Sequence, residues 1–234
     1  MLRHVVSYAP DVGRKFASSG SPLPFEGNTF LGHLEQRREG FETFDTILNI
    51  YRALPETRFF RKMTVLPSSS YHITLFTGVN ECDRHSGPWP AGISRELALE
   101  ELNRCFLDKL NLRKPGLSES FDFMVDSDAP LPGKNDNFFI PLIPADQTTY
   151  NRLQKIRSEL SEITGIHRDD HYSYQYHITL GYLLETLDGA ETLEYRDKSM
   201  EWREMIAKAG KIFIREFEFC TLRDMYSFRR ICTI

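Results

Sequence analysis

A histidine and a threonine occur twice in the same apolar context. Residues 71–76 read YHITLF and residues 176–181 read YHITLG, so that His72 and His177 are 177 − 72 = 105 positions apart. The apolar and β-branched neighbours favour an extended strand. Because side chains alternate between the two faces of a strand, the imidazole and the hydroxyl of each motif lie on the same face. Each motif therefore predicts a strand with one apolar face and one face that carries a histidine–threonine pair.

Two such pairs around one cleft suit phosphoester chemistry. A neutral imidazole can take a proton from water or from a ribose hydroxyl, and an imidazolium can give one to the departing oxygen. A threonine hydroxyl can donate a hydrogen bond to a non-bridging phosphate oxygen. One H-x-T triplet in a strand is usually structural, whereas two in matching contexts favour a site. We predict a catalytic site formed by His72, Thr74, His177 and Thr179, with no metal and no other cofactor.

The elements that must position these pairs follow the same order in both halves of the chain. That order is strand, helix, motif strand, helix, strand, and the first half has an extra strand at 59–67 that is expected to form a hairpin with the first motif strand. This duplication predicts an α+β fold of two pseudo-symmetric lobes, each a mainly antiparallel sheet with packed helices, around a central cleft. Residues 1–24 are expected to form an irregular arm. Residues 25–234 are expected to form one bilobal domain, with lobes at about 25–127 and 136–234.

Composition limits the classes of function. The chain has 234 residues, a net charge of −4, 41% hydrophobic residues and no run of basic residues, so a long nucleic-acid duplex is not an expected partner. The four cysteines form no C-x-x-C pair, so neither a zinc ribbon nor a redox motif is indicated. No apolar run approaches the roughly 18 residues of a membrane helix, and the first residues lack the apolar segment of a secretory signal. A cytoplasmic monomer is expected.

Four further residues are candidates for binding the substrate. Phe76 is expected to share a strand face with His72 and Thr74, where its ring can stack on a base, and Gly181 at the matching position leaves room for a substrate group. Lys62, on the neighbouring strand, can offset phosphate charge. Candidate hydrogen-bonding residues are Asn28 and Tyr226. The structural alternatives are core packing for the phenylalanine, a solvated surface for the lysine, and turn or edge roles for the last two.

The segment HRDDH (167–171) places His167 and His171 four positions apart, a spacing that can ligate a metal on a helix. However, Gly165 is expected to end the preceding helix, so a solvated loop is the favoured interpretation. The same loop can also cover the cleft.

With its two motifs, the sequence resembles the 2H phosphoesterase superfamily, whose signature is two copies of hydrophobic-His-x-Thr/Ser-hydrophobic in two pseudo-symmetric lobes. Three other stretches resemble a bacterial and fungal subgroup known mainly as a domain of unknown function. These are DVGRKF (11–16), LPFEGNTFLGHL (23–34) and KMTVLPSSSYHITLF (62–76). The resemblance extends from about residue 11 to about residue 226. It implies a metal-independent phosphodiesterase that opens a cyclic phosphate, often 2′,3′, on a nucleotide, an RNA end or an ADP-ribose derivative.

The resemblance also implies roles for the motif residues. His72 and His177 would be the acid–base pair, and Thr74 and Thr179 would hold the phosphate. Which histidine is the base depends on how the substrate lies across the pseudo-twofold axis. Two alternatives stay open at this point: a nucleotide-binding module of the same fold without turnover, and an RNA-end processing or ligase enzyme. In each case the expected partner is a small phosphorylated nucleotide or an RNA end.

Overall fold

Two antiparallel β-sheets and four α-helices make up the part of the chain that the computed structural model describes, residues 6–113 and 120–234. The first five residues of the expected N-terminal arm, including His4, lie outside the described residues. The strands are β1 (Gly27–His33), β2 (Met63–Val65), β3 (His72–Asn80), β4 (Phe121–Val125), β5 (Phe138–Pro144), β6 (Tyr176–Leu183), β7 (Ile212–Ile214), β8 (Glu218–Asp224) and β9 (Ser227–Thr233). The helices are α1 (Phe41–Ala53), α2 (Leu99–Leu112), α3 (Gln147–Thr164) and α4 (Gly189–Ala209).

Each motif strand belongs to a different sheet. The His72 sheet has the order β3-β1-β8-β9, and the His177 sheet has the order β2-β6-β5-β4-β7. The two motif strands, β3 and β6, also contact each other. The predicted α+β fold with two pseudo-symmetric sheets is therefore confirmed, and the two copies of the motif meet at the junction of the sheets.

The division into lobes at 25–127 and 136–234 is wrong, because each sheet takes strands from both halves of the chain. The last strand of the first half, β4, pairs with β5 and β7 in the His177 sheet, and β8 pairs with β1 in the His72 sheet. The turn-rich segment before residue 136 suggested a boundary between lobes. It is the connection between β4 and β5, which are antiparallel neighbours.

The extra strand of the first half also crosses to the other sheet. β2 pairs with β6, through Met63↔Leu183 and Val65↔Gly181, and not with β3 as expected. Residues Arg58–Lys62 form a 3₁₀ helix, which leaves three residues of the predicted strand extended. A similar correction applies to 211–222, because the chain leaves the His177 sheet after β7 and enters the His72 sheet at β8.

Both motif strands contain a β-bulge at the leucine that follows the threonine. In the pairing of β1 with β3, Leu31 faces Thr74 but Phe30 faces Phe76, so Leu75 is an additional residue. In the pairing of β5 with β6, Phe139 faces Thr179 but Phe138 faces Gly181, so Leu180 is the additional residue. A bulge reverses the alternation of side chains beyond it. The residues after each threonine therefore point to the faces opposite to those predicted.

The helices cover the sheets on the sides away from the cleft. Helix α4 places Tyr195 and Trp202 against Phe59 and Phe138, with ring centroids 5.0–6.4 Å apart. Phe106 of α2 packs on Phe219 of β8. Helix α3 contacts both β3 and β5, so it connects the two sheets. None of the helices in residues 6–113 and 120–234 combines the length and the hydrophobicity needed to cross a bilayer.

The N-terminal segment from residue 7 to residue 22, predicted to be an irregular arm, lies against the His177 sheet. The Phe16 ring is fully buried, with its centroid 4.9 Å from that of Tyr182 and 6.0 Å from that of Tyr226. The Asp11 carboxylate accepts a hydrogen bond of 2.7 Å from Asn137 Nδ2. The segment is thus fixed to the fold by both apolar and polar contacts.

Candidate functional site

A cavity of about 390 Å³ opens where the two motif strands meet. His72, Thr74 and His177 line it together. Thr179 is half-buried and does not line this cavity; it forms a hydrogen bond with the phenol of Tyr182. The structure thus brings three of the four predicted catalytic side chains around one cavity and leaves the fourth beside it on the same strand.

The two imidazoles are held in the same way. His72 Nδ1 lies 2.6 Å from the carbonyl oxygen of Ser70, and His177 Nδ1 lies 2.9 Å from that of Gln175. A carbonyl oxygen only accepts, so Nδ1 carries the proton in each ring. In the neutral state Nε2 is then the basic nitrogen, and it has no hydrogen-bond partner among the described residues. Both rings are therefore set to exchange a proton at Nε2.

Both histidines are neutral at pH 7 in the free protein. Burial lowers the pKa of His72 to about 4, and the nearby His33 and His177 act in the same direction more weakly. Burial also lowers the pKa of His177, and the ammonium group of Lys15 adds to that effect. A bound phosphate brings negative charge close to both rings and raises their pKa values. The cavity therefore disfavours a proton on either ring until an anion enters.

A buried arginine supports the His72 side of the cavity. Arg157 donates from Nη1 to the carbonyl of Leu75, the bulged residue, at 2.5 Å, and from Nη2 to the carbonyl of His171 at 3.0 Å. Its guanidinium carbon lies 4.5 Å from the centroid of the Tyr174 ring. Tyr174 lines the cavity and forms a hydrogen bond with Thr74. Arg157 thus joins the bulge beside Thr74 to the loop that precedes β6.

Phe76 is not a stacking platform for a base, which corrects the prediction from simple strand alternation. Because Leu75 is bulged, the Phe76 ring turns into the core, where it is fully buried with its centroid 6.0 Å from that of Phe30. Gly181, at the matching bulge, does not leave room for a substrate either. A Cβ atom there would lie 2.7 Å from Met63 Cε and 2.8 Å from the carbonyl oxygen of Thr64.

The other three candidate binding residues have structural partners. Lys62 Nζ forms an ion pair of 2.7 Å with Glu191 and does not line the cavity. The hydroxyl of Tyr226 lies 3.1 Å from Thr64 Oγ1, also away from the cavity. Asn28 borders the cavity but is 2% exposed, since its Oδ1 accepts from the Val79 amide and its Nδ2 donates to Asn103. These residues support the strands that carry the motifs.

The HRDDH loop does not bring its two histidines together. His167 Nδ1 lies 3.2 Å from Ser161 Oγ, and His171 Nε2 lies 3.1 Å from Ser158 Oγ. No cluster of three or more His, Cys, Asp or Glu side chains in the described ranges could hold a metal ion. Arg168 of this loop lines the cavity, as expected for a loop that covers the cleft.

Sequence reasoning missed several residues that line the cavity. Arg14 and Lys15 come from the N-terminal segment, and the DVGRKF stretch that contains them was the available signal. Thr77 lines the cavity because the bulge at Leu75 turns it there, and no sequence signal marks that bulge. The aromatic residue beside His72 is Phe228 of β9, with its ring centroid 4.4 Å from that of the imidazole.

Two antiparallel sheets that share a cleft, each with one H-x-T strand, define the 2H phosphoesterase class of α+β fold. A solved structure of this fold is the conserved protein of unknown function ATU0111 from Agrobacterium tumefaciens strain C58. It is 22% identical, covers 99% of this chain and 95% of its own, and has a TM-score of 0.85. A structure named only as a phosphoesterase (12% identity, 91% and 98% covered, TM-score 0.43) and TT0787 of Thermus thermophilus (12%, 88% and 96%, 0.41) are more distant.

The family itself is shown by the sequence. Residues 15–131 match the family model 2H-phosphodiest, described as a domain of unknown function (DUF1868), which is half of the chain. The chain belongs to this family. No protein of curated function matches the sequence.

Proposed function

We propose that the protein is a metal-independent phosphodiesterase that hydrolyses a cyclic phosphate, of the 2′,3′ kind, on a nucleotide, an RNA end or an ADP-ribose derivative. The main support is the pair of imidazoles, each with Nδ1 on a backbone carbonyl and Nε2 unbonded, at one cavity. That pair supplies one base and one acid without help from another group. The protein is proposed to act as a monomer in the cytoplasm.

The proposed reaction adds one water to the cyclic phosphate. One imidazole Nε2 takes a proton from the water as its oxygen bonds to phosphorus. The bond from phosphorus to one ribose oxygen breaks, and the imidazolium on the other side gives its proton to that oxygen. The product is a phosphate monoester beside a free hydroxyl, and the two histidines have exchanged protonation states. Thr74 donates to a non-bridging oxygen, and Thr179 assists from its position beside Tyr182.

Turnover of 2′,3′-cyclic nucleotides in the presence of a chelator tests this proposal. We expect the substrate to be consumed and a nucleoside monophosphate to form, as followed by chromatography and phosphorus NMR. The matched control is the double variant His72→Ala/His177→Ala under the same conditions. Saturable binding without product would contradict the proposal and would indicate a nucleotide-binding module.

The pH dependence of the reaction is expected to differ between the free and the substrate-bound enzyme. Activity requires one proton on the histidine pair, and the pKa values of both free rings lie below 6.5. The kcat/KM profile reports the free enzyme, so its bell should centre below pH 6.5. Bound phosphate raises both pKa values, so the kcat profile should move to higher pH. Coincident profiles, or a kcat/KM maximum above pH 7, would contradict this assignment.

A further inference from the structure

Cationic side chains line the cavity in excess of acidic ones. Arg14 and Lys15 reach it from the N-terminal segment and Arg168 from the loop before β6. Of the described acidic side chains, only Asp83 lines it. The cavity therefore has more positive charge than the single negative charge of a cyclic phosphodiester requires.

Arg14 and Lys15 are held in place by Asp11 and Asp83. Lys15 Nζ lies 3.2 Å from an Asp11 carboxylate oxygen, and an Arg14 Nη atom lies 3.7 Å from the same oxygen. Arg14 also forms an ion pair with Asp83, a residue of the loop after β3. A guanidinium group has five N–H donors, so these carboxylates leave Arg14 with donors for a ligand.

Lys15 gains most from an anion. Its Nζ lies 4.8 Å from the ring centroid of Tyr182 and 5.7 Å from that of Phe25, so it is held between two aromatic rings. Burial lowers the pKa of Lys15 despite its contact with Asp11. A phosphate group beside it would replace the water that the ammonium group has lost.

These two cations break the symmetry of the site. The imidazoles and threonines come in pairs, one from each half of the chain, and they are sufficient for the proton transfers and the oxygens of the reacting phosphate. By contrast, the segment that precedes β5 in the second half, residues 126–137, supplies no residue to the lining of the cavity. Arg14 and Lys15 therefore serve a part of the substrate that lies on one side of the reacting group.

We propose that Arg14 and Lys15 form a second phosphate subsite, so that the natural substrate carries another phosphate besides the cyclic one. This inference rests on the proposed phosphodiesterase function. The second phosphate has two chemical sources: a terminal phosphate monoester, or the phosphodiester that links a further nucleotide. Both present oxygens to a guanidinium and an ammonium group in the same manner.

Three substrates that differ only in this second group test the inference. They are a nucleoside 2′,3′-cyclic phosphate with a free 5′-hydroxyl, the same compound with a 5′-phosphate, and a dinucleotide that ends in the cyclic phosphate. We expect kcat/KM to be about 10-fold higher or more for the 5′-phosphate or the dinucleotide, as charge-assisted hydrogen bonds give. Which of the two is preferred identifies the source of the phosphate.

Substitution of the two cations should remove the preference. In Arg14→Gln/Lys15→Gln the ratio of kcat/KM values is expected to fall close to 1. The matched control is Arg113→Gln, a surface arginine that is 63% exposed and pairs with Glu162, which should keep the wild-type ratio. If the double variant unfolds on heating far below the wild type, Arg14→Gln alone makes the same test, since that side chain is 38% exposed.

The outcomes separate this inference from the proposed function. Equal kcat/KM values for the three substrates in the wild type would overturn the second subsite and leave the phosphodiesterase intact. A preference that survives in the variants would also overturn the role of Arg14 and Lys15. No turnover of any of the three substrates would overturn the proposed function itself.

Discussion

Replacement of either His72 or His177 by alanine is expected to lower kcat by about 10²–10⁴-fold, the usual contribution of a positioned acid or base. The two rings have the same attachment through Nδ1 and line one cavity, so neither can take over the role of the other. Because they act in one proton-transfer cycle, the double variant should be little slower than the slower single variant. Steady-state kinetics on the cyclic substrate, with the melting temperature as a check on folding, measure this result.

His85→Ala is the matched control for these variants. His85 is exposed and does not line the cavity, so its loss should leave kcat unchanged. If His177→Ala kept a kcat within about 3-fold of the wild type, well short of the loss of an acid or base, the two-histidine mechanism would be wrong.

The second large effect concerns stability. Phe76→Ala is expected to cost about 3–5 kcal/mol in the free energy of unfolding, as for other fully buried phenylalanines, because the ring packs beside Phe30 under the bulge. For a chain of this size that corresponds to a decrease of about 10 °C in the melting temperature. Calorimetry or thermal circular dichroism measures it.

Phe228→Ala provides the contrast. Its ring is half-buried and lies beside the His72 imidazole at the cavity, so we expect a higher KM and a melting temperature within about 3 °C of the wild type. If Phe76→Ala raised KM with no change in melting temperature, the assignment of Phe76 to the core would be contradicted.

The sequence was sufficient to predict the two motif strands and the meeting of their histidines. The pattern of YHITL determines which face carries the imidazole, and the bulges lie after the threonines, so His72 and Thr74 keep the predicted face. Phe76 and Gly181 lie beyond the bulges, and the prediction is therefore wrong from that point on. A leucine is equally at home in a regular strand and in a bulge, so no residue type marked the change.

The partners of the strands were less predictable than the strands. Local pattern shows that 211–222 and 59–67 favour extended structure, but not which sheet accepts them. The crossing from β7 to β8 occurs at residues 215–217, where Arg215 pairs with Glu35. The cations of the cavity had the same difficulty, because Arg14 and Lys15 are functional candidates only once Phe16 is seen to dock against Tyr182. Such information lies in long-range packing.

The exchange of strands between the halves has a consequence for how the chain folds. Gly27 pairs with Leu222, which is 222 − 27 = 195 positions away, so the His72 sheet is closed by contacts of very high sequence separation. Loop closure over such distances is slow and occurs late, and it couples distant regions into one cooperative transition. During synthesis the strand that carries His72 must therefore wait for β8 to emerge. Neither half of this duplicated chain is an autonomous folding unit.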